Sequence, residues 1–391
     1  MSILFTPHKI RNLEIKNRLV SSATVECLTD SDNHLTEEYY KIYKRLSVGN
    51  VGLIIPGNFF VSRDGRAVDK VMVIDNDSVI DELKKLTELV HKDGAKIVAQ
   101  LNHGGRQCPT ELIGMRPLSA SGVRDKLTGV KPVAMTEAQI ETTIDSFASA
   151  AGRVKRAGFD GVQIHAAHGY LINQFLSRRT NNRKDKWGGS IEDRMRFLIE
   201  IYKRIRLVVG SDFPILVKIN SDDQIKNGLN LNESIAIATR LEEIGVDAIE
   251  VSGGIKETGF TATKGDIPQK ELFVKLNFIK KLLFPLIQNK LICAAKFSEG
   301  YFVENAERIK QAVEIPIITV GGFRTKSFME EVLEKNKADF ISLSRPFIRQ
   351  PNLVNQMEKY PEKEIITCVN CNKCTVEITI NYKPLRCYLN N

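Results

Sequence analysis

The stretch Pro316-Ile-Ile-Thr-Val-Gly-Gly-Phe-Arg-Thr-Lys-Ser-Phe-Met-Glu-Glu-Val-Leu-Glu-Lys-Asn-Lys-Ala-Asp-Phe-Ile-Ser-Leu-Ser-Arg-Pro346 decides the fold. It holds two β-rich runs, Pro316 to Gly322 and Phe340 to Pro346, each closing on small or polar residues. Between them Thr325 to Lys335 is amphipathic and of helical length, so the stretch reads as one parallel βαβ unit. The pattern recurs upstream in Arg18 to Thr24, Gly52 to Asn58, Lys96 to His103, Gly161 to Ala167, Pro214 to Ser221 and Ala248 to Gly254. Helical stretches are read at Glu37 to Val48, Val79 to Lys92, Glu137 to Arg156, Ile191 to Val209, Glu233 to Ile244 and Asn352 to Lys359. Ser190, three residues before Asp193, resembles the start of a capping box. Eight strands in this order predict an α/β protein, a (β/α)8 TIM barrel.

A chain of 391 residues allows two modest domains or one large barrel with insertions. The strand count selects a barrel over residues 1–350, followed by a short cysteine-rich C-terminal extension over 351–391. With 42% hydrophobic and 26% charged residues, the composition excludes a disordered chain, a collagen and a coiled coil. The net charge of +9 invites nucleic acid, a membrane surface or anionic small molecules. Most of that excess has one address. The connection after the sixth strand, Ile255 to about Gly300, is far longer than usual, and between Lys256 and Ser298 it carries eight Lys against three acids. Charge so concentrated argues poorly for nucleic acid. No run approaches the ~18 apolar residues of a membrane span, and the start lacks the pattern of a signal peptide, so a cytoplasmic location is expected.

Active sites of such barrels lie at the C-terminal ends of the strands. Here those ends are polar: Thr24, Asn58, Gln100 to His103, His165 to His168, Lys218, Gly253, Gly321-Gly322 and Ser344-Arg345. Charged and imidazole groups placed there cost desolvation unless a ligand satisfies them, and a bound cofactor is the economical explanation. The ends of strands seven and eight match the place where barrels bind phosphate. Gly321 and Gly322 let the backbone approach, and Arg345 offers a fork of donors. At strand four, His165, His168 and Tyr170 suggest an oxyanion clamp beside a proton donor, with a metal pair or satisfied core histidines as the other readings.

Seven cysteines are present, and Cys368, Cys371, Cys374 and Cys387 crowd into the last 24 positions. Three clustered thiolates and a remote fourth are one way to hold a 4Fe-4S cluster. Zinc, or thiols without a metal, is the alternative.

The chain resembles the Old Yellow Enzyme family of FMN-dependent oxidoreductases over nearly its whole length. The resemblance is carried by Leu4-Phe-Thr-Pro7, Lys16-Asn-Arg-Leu19, Val51-Gly-Leu-Ile-Ile55, Gln100-Leu-Asn-His-Gly-Gly-Arg106, His165-Ala-Ala-His-Gly-Tyr-Leu171, Asn182 to Ser190 and the motifs of strands seven and eight. It implies an FMN ring across the strand ends with Ala23, Thr24, Gly57 and Asn58 beside it, Gln100 at its pyrimidine edge and Lys218 near N1 and the C2 carbonyl. Gly253, Gly321, Gly322, Ser344 and Arg345 complete the expected cofactor site. His165 and His168 match the pair that holds the carbonyl oxygen of an activated alkene, and Tyr170 matches the proton donor. The implied reaction is ping-pong: NAD(P)H reduces FMN, then flavin N5 gives hydride to the β-carbon of an enone or enoyl thioester. One departure is Val25, where many relatives place a Thr or Cys; Cys27 is two positions off that register.

The cysteine spacing is similar to the iron-sulfur branch of the family, which includes trimethylamine dehydrogenase and dienoyl-CoA reductase. Those relatives continue into further nucleotide-binding domains, so a cluster here is expected to exchange electrons with FMN and an external electron-transfer partner. An amine-type flavin dehydrogenase is the first alternative activity, and a tRNA-dihydrouridine synthase-like flavin barrel a more distant one. A barrel that only binds a phosphorylated ligand is the non-redox alternative. Expected partners are a small-molecule substrate, which the Lys-rich connection (Lys270, Lys275, Lys280, Lys281) suits to an anion, and a second copy of the chain in a homo-oligomer; neither nucleic acid nor a membrane is expected.

Overall fold

The apolar runs become eight short parallel strands whose side chains are buried on both faces, as a barrel interior under an outer layer of helices requires. They are β1 (Leu19–Ser21), β2 (Leu53–Ile54), β3 (Lys96–Asn102), β4 (Gly161–Ala166), β5 (Ile215–Asn220), β6 (Ala248–Ser252), β7 (Ile317–Val320) and β8 (Phe340–Leu343). Their order is β2-β1-β8-β7-β6-β5-β4-β3, and pairing of Leu53 with Lys96 joins β3 back to β2 and closes the barrel. This computed structural model describes residues 2–126, 128–274 and 292–389. Lys275, Lys280 and Lys281, invoked above for an anionic substrate, lie outside the described residues, whereas Lys270 sits in the short helix Gln269–Leu272.

Among the described residues, the helices packed outside include α1 (Glu37–Val48), α2 (Ile80–His91), α3 (Glu137–Arg156), α4 (Ile191–Val209), α5 (Leu231–Glu243), α6 (Val303–Lys310), α7 (Lys326–Glu334) and α8 (Leu353–Lys359). α6 grows from the end of the strand-six connection, a stretch the periodicity did not single out. α3 starts with a full capping box between Thr136 and Gln139. α4 has only half of one. Ser190 Oγ accepts from the Asp193 amide at 3.2 Å, but the Asp193 carboxylate takes the Ser190 hydroxyl at 3.0 Å and not a backbone N–H. Leu353, Val354 and Met357 of α8 lie in the main core, so this helix is packed as part of the barrel although it follows residue 350.

Alternation along the strands sets the interior. At its base Val20, Leu53, Val98, Leu216, Ala248, Ile318 and Phe340 meet Ile10, Leu13 and Ile15 of an antiparallel hairpin (His8–Ile10 with Leu13–Ile15) that plugs the N-terminal end. Burying each of these Val, Leu, Ile and Phe side chains stabilises by about 1.5–3 kcal/mol. Two residues further along, Val20, Val98, Leu216, Ala248 and Phe340 are succeeded by Ser22, Gln100, Lys218, Glu250 and Ser342, all buried. The interior thus changes from apolar to polar within one pleat, and that change positions the site.

The C-terminal extension folds back over the same mouth. A helix α9 (Lys373–Thr379) places Cys374 and Ile378, with Tyr388 beyond it, in an apolar cluster with Val25, Cys27, Phe60, Ala67, Val68 and Cys108. The Leu385 amide donates to the Glu26 carbonyl at 2.8 Å. Among the described residues no helix is long and apolar enough to cross a membrane.

Candidate active site

The barrel mouth opens into a cavity of about 250 Å³. Its floor is a buried polar chain assembled by register: Lys218 stands opposite Glu250 across β5 and β6, and Gln100 opposite Gln163 across β3 and β4. Gln100 Nε2 donates to Gln163 Oε1 at 2.7 Å, and Gln163 Nε2 donates to Glu250 Oε2 at 2.9 Å. The other oxygen of Glu250 accepts from Ser22 Oγ at 2.7 Å, Ser342 Oγ at 3.1 Å and Lys218 Nζ at 3.2 Å. Burial alone would raise the carboxyl's pKa, but the Lys218 charge and these donors hold it below its ordinary value. A buried ion pair survives only when its remaining valences are filled, and here they are.

Above the floor, the β4 end carries the imidazoles and the phenol. The His165 ring lies edge-on to His168 at 5.1 Å and to Tyr170 at 5.0 Å between centroids. His165 Nδ1 accepts from the Ala167 amide at 3.4 Å, which assigns its proton to Nε2. His168 Nε2 lies 2.7 Å from Ser252 Oγ, and the residue adopts φ +58 while its amide donates to Asn220 Oδ1. Burial, with Lys218 nearby, pushes His168 down to about 3 and His165 well below its usual value, so both rings are neutral at ordinary pH. Burial pushes the Tyr170 phenol up to about 12, which keeps its proton in place.

Of the expected cofactor residues, Ala23, Thr24, Asn58, Gln100, Lys218, Ser344 and Arg345 line this cavity together with His165, His168 and Tyr170. Thr24 Oγ1 and Ser344 Oγ are 2.7 Å apart. Val25 also lines the wall, whereas Cys27 turns under α9 and donates to the Ile378 carbonyl at 3.5 Å. The four glycines stand elsewhere. Gly57 gives its amide to Glu26 Oε1 at 2.7 Å. Gly253 abuts the Phe302 ring, and Gly321 and Gly322 face the ring of Tyr301, where a Cβ would come within 2.6 to 2.9 Å of ring atoms. An aromatic from the strand-six connection therefore covers the diglycine. Arg345 is likewise engaged, donating to Asn372 Oδ1 at 2.6 Å, to the Lys264 carbonyl at 3.0 Å and to the Thr263 carbonyl at 3.4 Å.

A flavin ring fits what is exposed. Gln100 spends its amide N–H on Gln163 and keeps its carbonyl oxygen as an acceptor, Asn58 Oδ1 is buried without a hydrogen-bond partner in the described structure, and the ammonium of Lys218 lies in the wall. Sequence reading missed Glu250, Gln163 and Ser22. Their signal was present as polar residues at every second position of apolar runs, but their pairing is a property of register.

Cys368, Cys371, Cys374 and Cys387 all line one smaller cavity with Arg345 and Arg349. Arg349 Nη1 reaches Cys387 Sγ at 3.4 Å. Burial pushes the Cys374 thiol up to about 11 and raises Cys368 as well. Among the described residues no three His, Cys, Asp or Glu side chains meet closely enough to hold a single metal ion. The thiols surround a space. Arg345, Ile348 and Cys374 belong to the walls of both cavities.

The family model described as NADH:flavin oxidoreductase / NADH oxidase family matches residues 3–260 and 287–364. The chain is 36% identical over 390 residues to the NADH oxidase of Thermoanaerobacter brockii, covering 99% of this chain and 56% of the relative. It is 36% identical over 351 residues to the NADPH dehydrogenase of Geobacillus sp. (strain WCH70), covering 90% of this chain and 92% of that one. A solved complex of 2-naphthoyl-CoA reductase with 2-naphthoyl-CoA superposes with a TM-score of 0.87 at 27% identity, covering 99% of this chain and 57% of that chain. The chain thus spans a little over half the length of two of these relatives and nearly all of the third. A closed eight-stranded barrel, a polar floor at the strand ends and a family match over most of its residues agree: the chain belongs to the NADH:flavin oxidoreductase / NADH oxidase family, the family of Old Yellow Enzyme.

Proposed function

We propose that this protein is an FMN-dependent oxidoreductase that uses NAD(P)H to reduce the activated C=C bond of an α,β-unsaturated carbonyl compound. The observation that carries this reading is the placement of two neutral imidazoles and a high-pKa phenol on one cavity wall, above a buried cation. Ala23, Thr24, Asn58, Gln100 and Lys218 would hold the flavin ring. When bound, FMN supplies the hydride that NAD(P)H delivers. His165 offers Nε2–H to the substrate's carbonyl oxygen. His168 offers Nδ1–H when the Ser252 hydroxyl donates to its Nε2. Both donors stabilise negative charge gathering on that oxygen without needing to be protonated. Tyr170 then gives its proton to the α-carbon, a stronger base than a phenolate of pKa about 12. Lys218, fixed by Glu250 and Ser22, keeps a positive charge at the cavity floor, where added electron density needs it.

The four thiols support a 4Fe-4S cluster more than a mononuclear metal. Each iron of such a cluster takes one thiolate, which asks for sulfurs around a space. Arg345 and Arg349 would offset the thiolates' charge. The wall shared with the larger cavity supports electron exchange between the two sites, and it is what favours the second reading, an amine-type dehydrogenase passing electrons to a partner. The neutral imidazole pair favours a carbonyl oxygen over an amine.

The test separates the half-reactions. With Tyr170→Phe, reoxidation of the NADPH-reduced enzyme by 2-cyclohexenone should slow by about 10²- to 10⁴-fold, while reduction by NADPH changes little. Stopped-flow flavin absorbance reads both. Equal slowing of both halves, or turnover of amines in place of enones, would overturn the ene-reductase reading.

A further inference from the structure

Among the described residues, three cationic side chains line the larger cavity, Lys218, Lys256 and Arg345, and no Asp or Glu does. Two of them are engaged. Lys218 Nζ donates to Ser22 Oγ at 2.9 Å and to Glu250 at 3.2 Å, and Arg345 is bound to Asn372 and two carbonyls. Among the described residues the ammonium of Lys256 has neither a hydrogen-bond acceptor nor a carboxylate within ion-pair distance. Burial pushes its pKa down, and the more remote Asp125 offsets that only in part. Lys256 is only partly buried, and an ammonium partly withdrawn from water with only a remote counter-charge is destabilised, which a ligand anion offsets.

Lys256 is also held in place. Its neighbour Ile255 forms a parallel bridge with His168, so Lys256 follows the clamp's backbone contact by one residue, about 3.8 Å between Cα atoms. On its other side Glu257 accepts from the Lys126 amide at 2.8 Å and from Arg179 Nε at 3.2 Å, and lies 3.4 Å from Arg106 Nη2. Beside Tyr170 the wall also presents an apolar face of Val25, Ala67, Val68, Ile348 and Ile378.

We infer that the substrate is an α,β-unsaturated carbonyl compound with an apolar body and a carboxylate separate from its activated carbonyl, and that Lys256 selects it by pairing with that carboxylate. This rests on the ene-reductase reading and adds the substrate class. It moves the basis for anion preference from the Lys-rich connection to one residue inside the cavity.

The experiment uses FMN-loaded protein and two unreactive probes, 4-oxo-4-phenylbutanoate and its methyl ester, with dissociation constants read from flavin absorbance. Wild type should bind the acid at least ~10-fold tighter than the ester, as a charge-assisted contact implies. Lys256→Met should bring the ratio close to one, with Lys256→Gln as the milder variant, and Lys256→Arg should keep most of it. Because the readout is a ratio, a variant that loses packing and weakens both probes alike is not mistaken for one that loses selectivity. A ratio near one in wild type, or one that survives both neutral variants, would overturn the inference. Turnover of the unsaturated acid, 4-oxo-4-phenylbut-2-enoate, tests the parent reading separately. Retained selectivity without turnover sinks the ene-reductase and leaves Lys256 its role, whereas turnover of acid and ester with equal affinities sinks only the role of Lys256.

Discussion

Glu26 shows how one side chain outside the cavity shapes it. Its fully buried carboxylate accepts from Tyr43, from the Gly57 amide at 2.7 Å and from Tyr39 at 3.4 Å, and so pins the turn that presents Asn58. Burial nonetheless dominates and raises its pKa to about 7. Between pH about 4.5 and 7 the native state therefore binds a proton that the unfolded state has released, and stability falls as pH rises through that window, by about 3 kcal/mol in all. Glu26→Gln should flatten this slope and be more stable than wild type above pH 7. Urea unfolding at a series of pH values checks it, and parallel pH profiles for the two proteins would refute the assignment. Next to it in sequence, Val25 was read as a departure at the flavin face and does line the cavity. Nothing local announced Glu26, because a Glu followed by Cys and Leu reads equally well as a surface residue.

At the scale of elements, neighbouring strands must agree in register before the floor exists. Lys218 was legible as a strand-end cation, and Glu250 as a carboxylate inside an apolar run, yet their pairing depends on β5 and β6 aligning these two residues. Glu250→Leu alone should destabilise the barrel by about 3–5 kcal/mol, because it leaves Lys218 buried without a counter-charge. Adding Lys218→Met should recover much of that loss. Denaturant midpoints of the two variants test the point, and a double variant no more stable than the single one would show that the pair does not bear on stability. Helix boundaries were far easier: α1, α3 and α4 begin and end where the periodicity placed them, since amphipathic spacing and first-turn acids such as Glu37, Glu137 and Glu192 are local. The strand-six connection was the opposite case. Its length and charge were plain, but that Tyr301 would lie on Gly321 and Gly322 came only from packing.

For the whole molecule, the extension supplies part of the wall at the barrel mouth, and the Arg345–Asn372 bond joins the end of β8 to the thiol-bearing segment across 27 positions of chain. If the thiols hold a cluster as proposed, anaerobically purified protein should contain about four iron and four sulfide per chain, and Cys371→Ser should lose both. Zinc, or no metal, would remove the cluster. The sequence by itself determined the barrel, most of its helices and the placing of the His165 to Tyr170 motif at a strand end, because strand and helix patterns and a six-residue motif are read within a few residues of chain. It also marked Gln100, Lys218 and the four cysteines as chemically purposeful. Only the tertiary structure decided that Glu250 neutralises Lys218, that Tyr301 and Asn372 occupy the neighbourhood expected for phosphate, that the thiols ring a cavity, and that Lys256 is the cavity cation without a partner among the described residues. Those facts depend on strand register and on burial between segments tens to hundreds of residues apart. Local sequence carries no record of which distant group will lie within 3 Å.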